Sequence, residues 1–432
     1  MLIRSTICLL LIVLNLNLAK GQELEVSTLA GSGFHGFADG QGSAASFYLP
    51  AGIDMDKAGN LYVGDQYNHR IRKITPAGYV STFAGSGSPG SADGQGTAAS
   101  FNHPQGISVD TSGNVFVADR GNHKIRKISP SGVVTTYAGS GSKGKLDGLA
   151  ASASFNTPYD VAVDLNGNVY VADYENHKIR KISSNGTVST LAGSGTYGYA
   201  DGIGTAAKFG YPAGLDVDSI GNIYVADEYN HRIRKITPNG TVSTFSGPKV
   251  GDDFDRFAYP RGVTVAKDGT LYVADQDKNR IRKVATDGKA TNFAGTGVEN
   301  EWDGPASTAT FARPAAVTVG ANNAVYVADY SNHKIRKIDS AAVVVSAPML
   351  TDQDRAFKVC NPYGGSSIGI EFFDLEEGFV SLLNCNGAQI LMWPVSKRKN
   401  LVIDSSNLAS GIYFIRVSIK QGVFTQKVLL TH

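Results

Sequence analysis

From residue 23 to residue 338 the chain repeats one rhythm of apolar and polar positions. Within residues 106–139 it reads "GISVD", "NVFVAD", "KIRKI" and "VVTTYAG", with "TSG", "RGNH" and "SPSG" between them. Alternation with a period of two predicts half-buried strands, and the short turns predict antiparallel hairpins. The second and third runs return six times, from "LYVGDQYNHRIRKI" (61–74) to "VYVADYSNHKIRKI" (325–338). The aspartates that end each second run (Asp65, Asp119, Asp173, Asp227, Asp275, Asp329) are spaced by 54, 54, 54, 48 and 54 residues. A four-stranded unit cannot bury both faces alone, so six copies predict an all-β, six-bladed β-propeller.

The fourth run is out of step with the other three. "EVSTLAGSG" opens the pattern and matches "YVSTFAGSG" (79–87) and "TVSTLAGSG" (187–195), which end their units. We therefore expect Val26–Gly31 to pair beside Lys334–Ile338 and complete the sixth sheet, removing an open edge. A competing segment, "AAVVVS" (341–346), lies at a suitable distance after Ile338 but resembles the other fourth strands less.

The flanks follow other patterns. Residues 1–21 have a basic start at Arg4, an apolar run from Ile7 to Leu18 and small residues before Gln22. These features read as a cleavable secretory signal, and the run is too short to span a bilayer. No later segment is apolar enough to cross. Residues 346–432 alternate again around Asn-Gly and Ser-Gly turns and predict a small β-sandwich after a propeller that occupies 22–345. Without the signal, 38 basic residues face 38 acidic ones, which argues against a general polyanion or nucleic-acid partner. Cys360 and Cys385 are the cysteines left, a possible disulfide outside the cytosol but no metal-binding spacing.

The motif "YVAD..NH.IRKI", preceded by "P.G..VD..GN", resembles the NHL-repeat family of six-bladed propellers. In the fifth copy Lys278 and Asn279 replace the Asn-His pair, so the histidine reads as dispensable to the fold. "KVCNP", "SSNLASGIYFIRV" and a closing "KVLL" resemble the C-terminal sorting domain of Bacteroidetes type IX secretion cargo. That resemblance implies handling by the type IX secretion machinery and a place in the medium or on the outer cell surface.

Presence in every unit assigns most repeated residues to the frame. The six aspartates are expected to brace the turn after strand two by accepting turn amides, and His69, His123, His177, His231 and His333 to brace it too. The basic residues of strand three are expected as solvated stems over the sheet faces. Phe47, Phe101, Phe155, Phe209, Phe257 and Phe311 are each followed three residues later by proline, and are expected to plug gaps between sheets.

What varies between copies points to a site. The long connectors and the turns after strand two must share one end of an antiparallel ring, and loops on a rigid frame commonly bind. The varying residues on the connectors include Tyr48, His103, Gln105, Tyr159, Tyr211, Tyr259, Arg261 and Arg313. The adjacent turns add Arg120, Tyr174, Tyr229 and Tyr330. Tyrosine and arginine dominate, the types enriched at binding hot spots. The fifth connector, "GPKVGDDFDRFAYP" (247–260), is six residues shorter and breaks the symmetry. The channel-facing positions Asp54, Ser108, Ala162, Asp216, Thr264 and Thr318 lack the His, Glu and Asn cluster of a hydrolytic metal centre. The leading expectation is a binding module without a cofactor that takes a protein or glycan ligand on its loop face. The alternative is a metal-dependent lyase or lactonase with Asp54, Asp216 and His103 as ligands.

Overall fold

The computed structural model describes residues 24–247 and 257–340, and in the C-terminal region residues 357–360, 367–372, 377–383, 389–396, 400–404, 411–419 and 422–430. The chain separates into two compact units near residue 341.

The first unit is six antiparallel sheets. Sheet 1 runs outward through Pro50–Met55, Leu61–Asp65, Arg70–Ile74 and Tyr79–Ala84, and the other five repeat this order. Each inner strand lies against the next, and the sixth, Ala316–Val319, returns to Pro50–Met55. The first and last segments meet as expected. Leu24–Ala30 pairs antiparallel with Lys334–Ser340, with Val26 opposite Ile338, and completes sheet 6.

Five sheets carry a short fifth strand that the sequence pattern does not reveal. Gly40–Gln41 pairs with Tyr79–Ala84, and counterparts recur in sheets 2, 3, 4 and 6. The connector therefore covers the outer edge of a sheet before it reaches that sheet's inner strand. Sheet 5, served by the shortened connector, has four strands among the described residues.

The six phenylalanines are fully buried. Phe47 packs with Ile53, Val63 and Ile74 of sheet 1 and with Ala328 and Ile335 of sheet 6, so it does seal the gap between sheets. Burial of one such ring stabilises by about 1.5–3 kcal/mol.

The strand-three arginines correct the sequence reading. Arg72, Arg126, Arg180, Arg234 and Arg336 are 0 % exposed, whereas solvated stems were expected. Ile71 and Arg72 point to opposite faces of sheet 1, and both are buried because a neighbouring sheet covers each face. Arg72 then bonds Asp65 at 2.7 Å, Asp39 of the connector at 2.6 Å, and the carbonyls of Ala38 and Ser46. Its guanidinium also lies over Phe47, 5.1 Å from the ring centre. A planar five-donor fork suits this many acceptors, and lysine does not. Within the chain this position is always arginine, while the one two residues earlier varies between Arg70 and Lys124.

The repeated aspartate has different partners from those expected. Asp65 accepts the connector amide of Tyr48 at 2.8 Å, the Asn68 side chain at 2.8 Å, and Arg72. It ties connector, turn and strand three together and does not form a turn-amide cap. Asp119, Asp173, Asp227 and Asp329 repeat the arrangement, and Asp275 pairs with Arg282 at a longer 3.4 Å.

The second unit contains a three-stranded sheet (Phe357–Cys360, Ser367–Phe372, Asn400–Asp404) and a four-stranded one (Glu377–Leu383, Gln389–Ser396, Gly411–Ile419, Gly422–Leu430). Alternate residues such as Val380 and Leu382, or Ile415 and Val417, are buried, the pattern of a sandwich. Cys385, residues 1–23 and residues 341–346 lie outside the described residues, and with them the expected disulfide, signal and competing closure segment.

Candidate functional site

The loop face is built from two residues per sheet with left-handed backbone. One ends the turn after strand two: His69, His123, His177, His231, Asn279 and His333, with φ between 49° and 56°. The other precedes the connector proline: Leu49, His103, Thr157, Tyr211, Tyr259 and Arg313, with φ between 50° and 58°. The two meet across each junction. The amide of His103 donates to His69 Nδ1 at 3.1 Å, that of Thr157 to His123 at 3.0 Å, and that of Leu49 to His333 at 3.1 Å. In the fifth turn Asn279 offers its Oδ1 to the amide of Arg313 at 2.8 Å. The histidine is thus replaceable only by another acceptor that tolerates the left-handed conformation. Burial holds His69, His123, His177 and His333 below the ordinary imidazole value, which favours the neutral ring this bond needs.

Because only the amide is used, the side chain before the proline is free to vary. Together with the turn residues these side chains make a continuous aromatic run. Tyr159 stacks on Tyr174 at 4.6 Å between ring centres, Tyr174 meets Tyr211 at 5.0 Å, Tyr211 meets Tyr229 at 4.7 Å, and Tyr229 meets Tyr259 at 5.2 Å. The exposed Tyr197 approaches Tyr211 at 5.9 Å. A second group joins Tyr48, Tyr67, His103 and His69. Five of the sequence candidates therefore form one crescent, with Tyr48 and His103 in a neighbouring group. Arg313 stands apart, 3.4 Å from Asp277.

The centre of the face is closed. Arg261, only 5 % exposed, reaches across the axis from sheet 5 and donates to Gln105 Oε1 of sheet 2 at 3.0 Å. Its guanidinium lies 5.2 Å from the Tyr159 ring centre and 4.6 Å from that of Tyr330, whose hydroxyl donates to Gln66 at 3.0 Å. Arg261 and Gln105 are thus buried and joined across the axis. The Tyr174 hydroxyl donates to Glu228 at 2.8 Å, and burial raises both groups. Burial also pushes Tyr159 up to about 12, against the pull of Arg261.

Below this plug, the channel between the inner strands holds ≈ 60 Å³, room for a few waters and too little for a drug-sized ligand. Asp54, Asp160 and Asp216 face it. Asp54 accepts the Val109 amide at 2.7 Å, Asp160 that of Leu215 at 3.0 Å, and Asp216 that of Val265 at 2.8 Å, each in the next sheet. Burial lifts Asp54 to about 7 and Asp160 to about 8, and raises Asp216. Asp160 occupies the site filled by glycine in sheets 1, 2, 4 and 5, while Ala162 stands where the channel carboxylate was sought. The ligand set Asp54, Asp216 and His103 is not assembled, because His103 packs against Tyr67 and His69 on the loop face. Among the described residues no three His, Cys, Asp or Glu side chains are placed to hold a metal ion.

Known proteins place this architecture. The NHL repeat model matches residues 47–74, 101–128, 155–182 and 209–236, a Teneurin NHL domain model matches 255–339, and a secretion system C-terminal sorting domain model matches 361–431. The chain is 32 % identical over 229 residues to Protein SUPPRESSOR OF QUENCHING 1, chloroplastic, of Arabidopsis thaliana, covering 49 % of this chain and 22 % of that protein. It is 30 % identical over 239 residues to human NHL repeat-containing protein 2, covering 47 % and 33 %. It thus spans no more than a third of these relatives. Two solved structures from Bacteroides thetaiotaomicron share the fold. One is a structural genomics protein with a TM-score of 0.57 and 22 % identity, covering 74 % of this chain and 76 % of that one. The other is an auxiliary nutrient binding protein with a TM-score of 0.56 and 15 % identity, covering 74 % and 77 %. The chain is an NHL-repeat β-propeller protein that ends in a secretion-system C-terminal sorting domain.

Proposed function

We propose that this chain is an exported binding module that holds an extracellular glycan against its loop face, and that its C-terminal domain directs it through the type IX machinery to the medium or the outer surface. The observation that carries this reading is the crescent of Tyr159, Tyr174, Tyr211, Tyr229 and Tyr259. Each ring offers an apolar face and a polar tip. A sugar, with C–H faces and hydroxyl edges, complements that combination better than an aliphatic protein patch. The rings stand on a stapled backbone, so little freedom is lost on binding. The nutrient-binding role in the name of one fold relative is consistent with a glycan ligand.

The test is an oligosaccharide array probed with the full chain and with the Tyr211→Ala and Tyr229→Ala variants. Tyr229 is 43 % exposed, so its removal leaves the core intact. Binding that falls at least tenfold in both variants supports the reading. An array without hits, or hits unchanged by either substitution, rejects it.

A further inference from the structure

Two arginines at the centre of the loop face form no ion pair with a carboxylate among the described residues. Arg261 is 95 % buried, yet its polar partners are neutral: the Gln105 carbonyl oxygen and the Tyr330 hydroxyl. No ion pair joins it to an acid among the described residues. Arg120, the first residue of the turn after strand two in sheet 2, makes no hydrogen bond through its guanidinium, and its Nε is buried without a partner. Both guanidinium carbons lie over one ring, that of Tyr159, at 5.7 Å for Arg120 and 5.2 Å for Arg261.

Arg261 differs in this from the other buried arginines of the propeller. Arg72 and its five equivalents each pair with an aspartate. An uncompensated buried cation is strongly disfavoured, and the usual remedy is a counter-charge. Glu228 acts on Arg261 through space but forms no ion pair with it among the described residues. The Glu228 carboxylate is taken by the Tyr174 hydroxyl. Asp54, Asp160 and Asp216, lower in the channel, each accept at least two hydrogen bonds from inner-strand amides or threonines.

We infer that Arg120 and Arg261 form a binding site for a single oxyanion, and that the ligand is an acidic carbohydrate whose uronate or sulfate-ester group sits on this pair while its rings lie on the tyrosine crescent. The inference rests on the glycan reading for the body of the ligand but not for its charged head. Tyr159 joins the two parts, since its ring touches both arginines and stacks on Tyr174. Guanidinium groups bind such oxyanions through charge-assisted hydrogen bonds.

The experiment is calorimetric titration of the full chain with galacturonate, galactose 6-sulfate and galactose, and measurement of its thermal midpoint with and without inorganic sulfate. Each is repeated with Arg120→Met, which removes no hydrogen bond from the fold, and with Arg120→Lys, which keeps a charge. Galacturonate or the sulfate ester should bind at least tenfold more tightly than galactose, and Arg120→Met should erase that preference. The choice between the two acidic sugars identifies the head group. Equal binding of all three sugars, unaffected by Arg120→Met, overturns the oxyanion site and leaves the glycan reading standing. A midpoint raised by sulfate in an Arg120-dependent way, with no sugar bound, keeps the site and removes the glycan. Silence toward the acidic sugars and sulfate alike overturns the site.

Discussion

The staples between sheets make a quantitative prediction at His123. This residue isolates the effect, because its Nδ1 accepts the Thr157 amide at 3.0 Å and its φ is 53°. Its counterparts His69, His177, His231 and His333 also make ring contacts. Two terms act at this position. Losing the acceptor costs about 1 kcal/mol net, and more if the amide is left buried without water. Holding an ordinary L-residue in the left-handed region costs about another 1 kcal/mol, a cost the wild-type histidine already bears and glycine avoids. His123→Asn keeps both features, as Asn279 does in the fifth turn, and should stay within about 0.5 kcal/mol of wild type. His123→Gly should also stay near wild type, because the lost acceptor is offset by the relieved backbone. His123→Ala should lose about 1 kcal/mol, through the acceptor alone. Chemical denaturation followed by far-ultraviolet circular dichroism resolves these steps. If asparagine proves as damaging as alanine, the imidazole itself is required and the acceptor account is wrong. If alanine is harmless, the junctions are held elsewhere.

Other predictions follow from the same contacts. The His123 imidazole is held below its ordinary value of about 6.5, so the unfolded chain binds a proton that the folded chain refuses. Its contribution is complete above about pH 6.5 and is lost as the pH falls through the lowered folded value, so His123→Asn should gain on wild type between pH 7.5 and 5 in the same denaturation assay. Asp160 is the mirror case. Raised to about 8, it favours the folded state at low pH and loses that contribution as the pH rises through 8, so Asp160→Asn should gain on wild type between pH 6 and 9. Arg126→Met leaves Asp119 buried and unpaired and should cost about 3–5 kcal/mol, whereas Arg282→Met should cost less, since its pair with Asp275 is longer at 3.4 Å; paired denaturation curves would show the difference. Gly106→Ala would place a Cβ 1.9 Å from Asp160 Oδ1 and 2.5 Å from its Cα, and should cost at least about 3 kcal/mol or prevent folding, as read from soluble yield and midpoint.

Much of this was legible because repetition averages out local ambiguity. Six copies fixed the strand order, and the misplaced "EVSTLAGSG" identified the strand that closes sheet 6. The burial of Arg72 and its equivalents was hidden because "RIRKI" reads as alternation with one wet face, while a neighbouring sheet covers each face and buries Ile71 and Arg72 on opposite sides. A subtler signal was present, since the second basic position never changes to lysine. The short fifth strands were invisible because two residues carry no periodicity. The gathering of connectors and turns at one end followed from strand polarity, but sequence variation could not separate Arg261, buried across the axis, from Tyr229, an exposed ring. Both vary between copies for the reason that neither belongs to the repeated frame.

That reason has a structural basis in the position before the connector proline. Leu49, His103, Thr157, Tyr211, Tyr259 and Arg313 share a φ near +50°, and in each the backbone amide does the stapling. Thr157 shows how firmly the frame dictates this conformation, because a β-branched residue rarely enters the left-handed region unaided. The frame thus demands a backbone geometry here and places no demand on the side chain. On the proposed reading, selection for a ligand acts on six side chains around one rim without disturbing a junction. In sheets 4 and 5 this freedom has supplied the tyrosines that continue the crescent from Tyr174 through Tyr229. At Tyr211 and Tyr259 the staple and the proposed binding face are two uses of one residue, divided between amide and side chain.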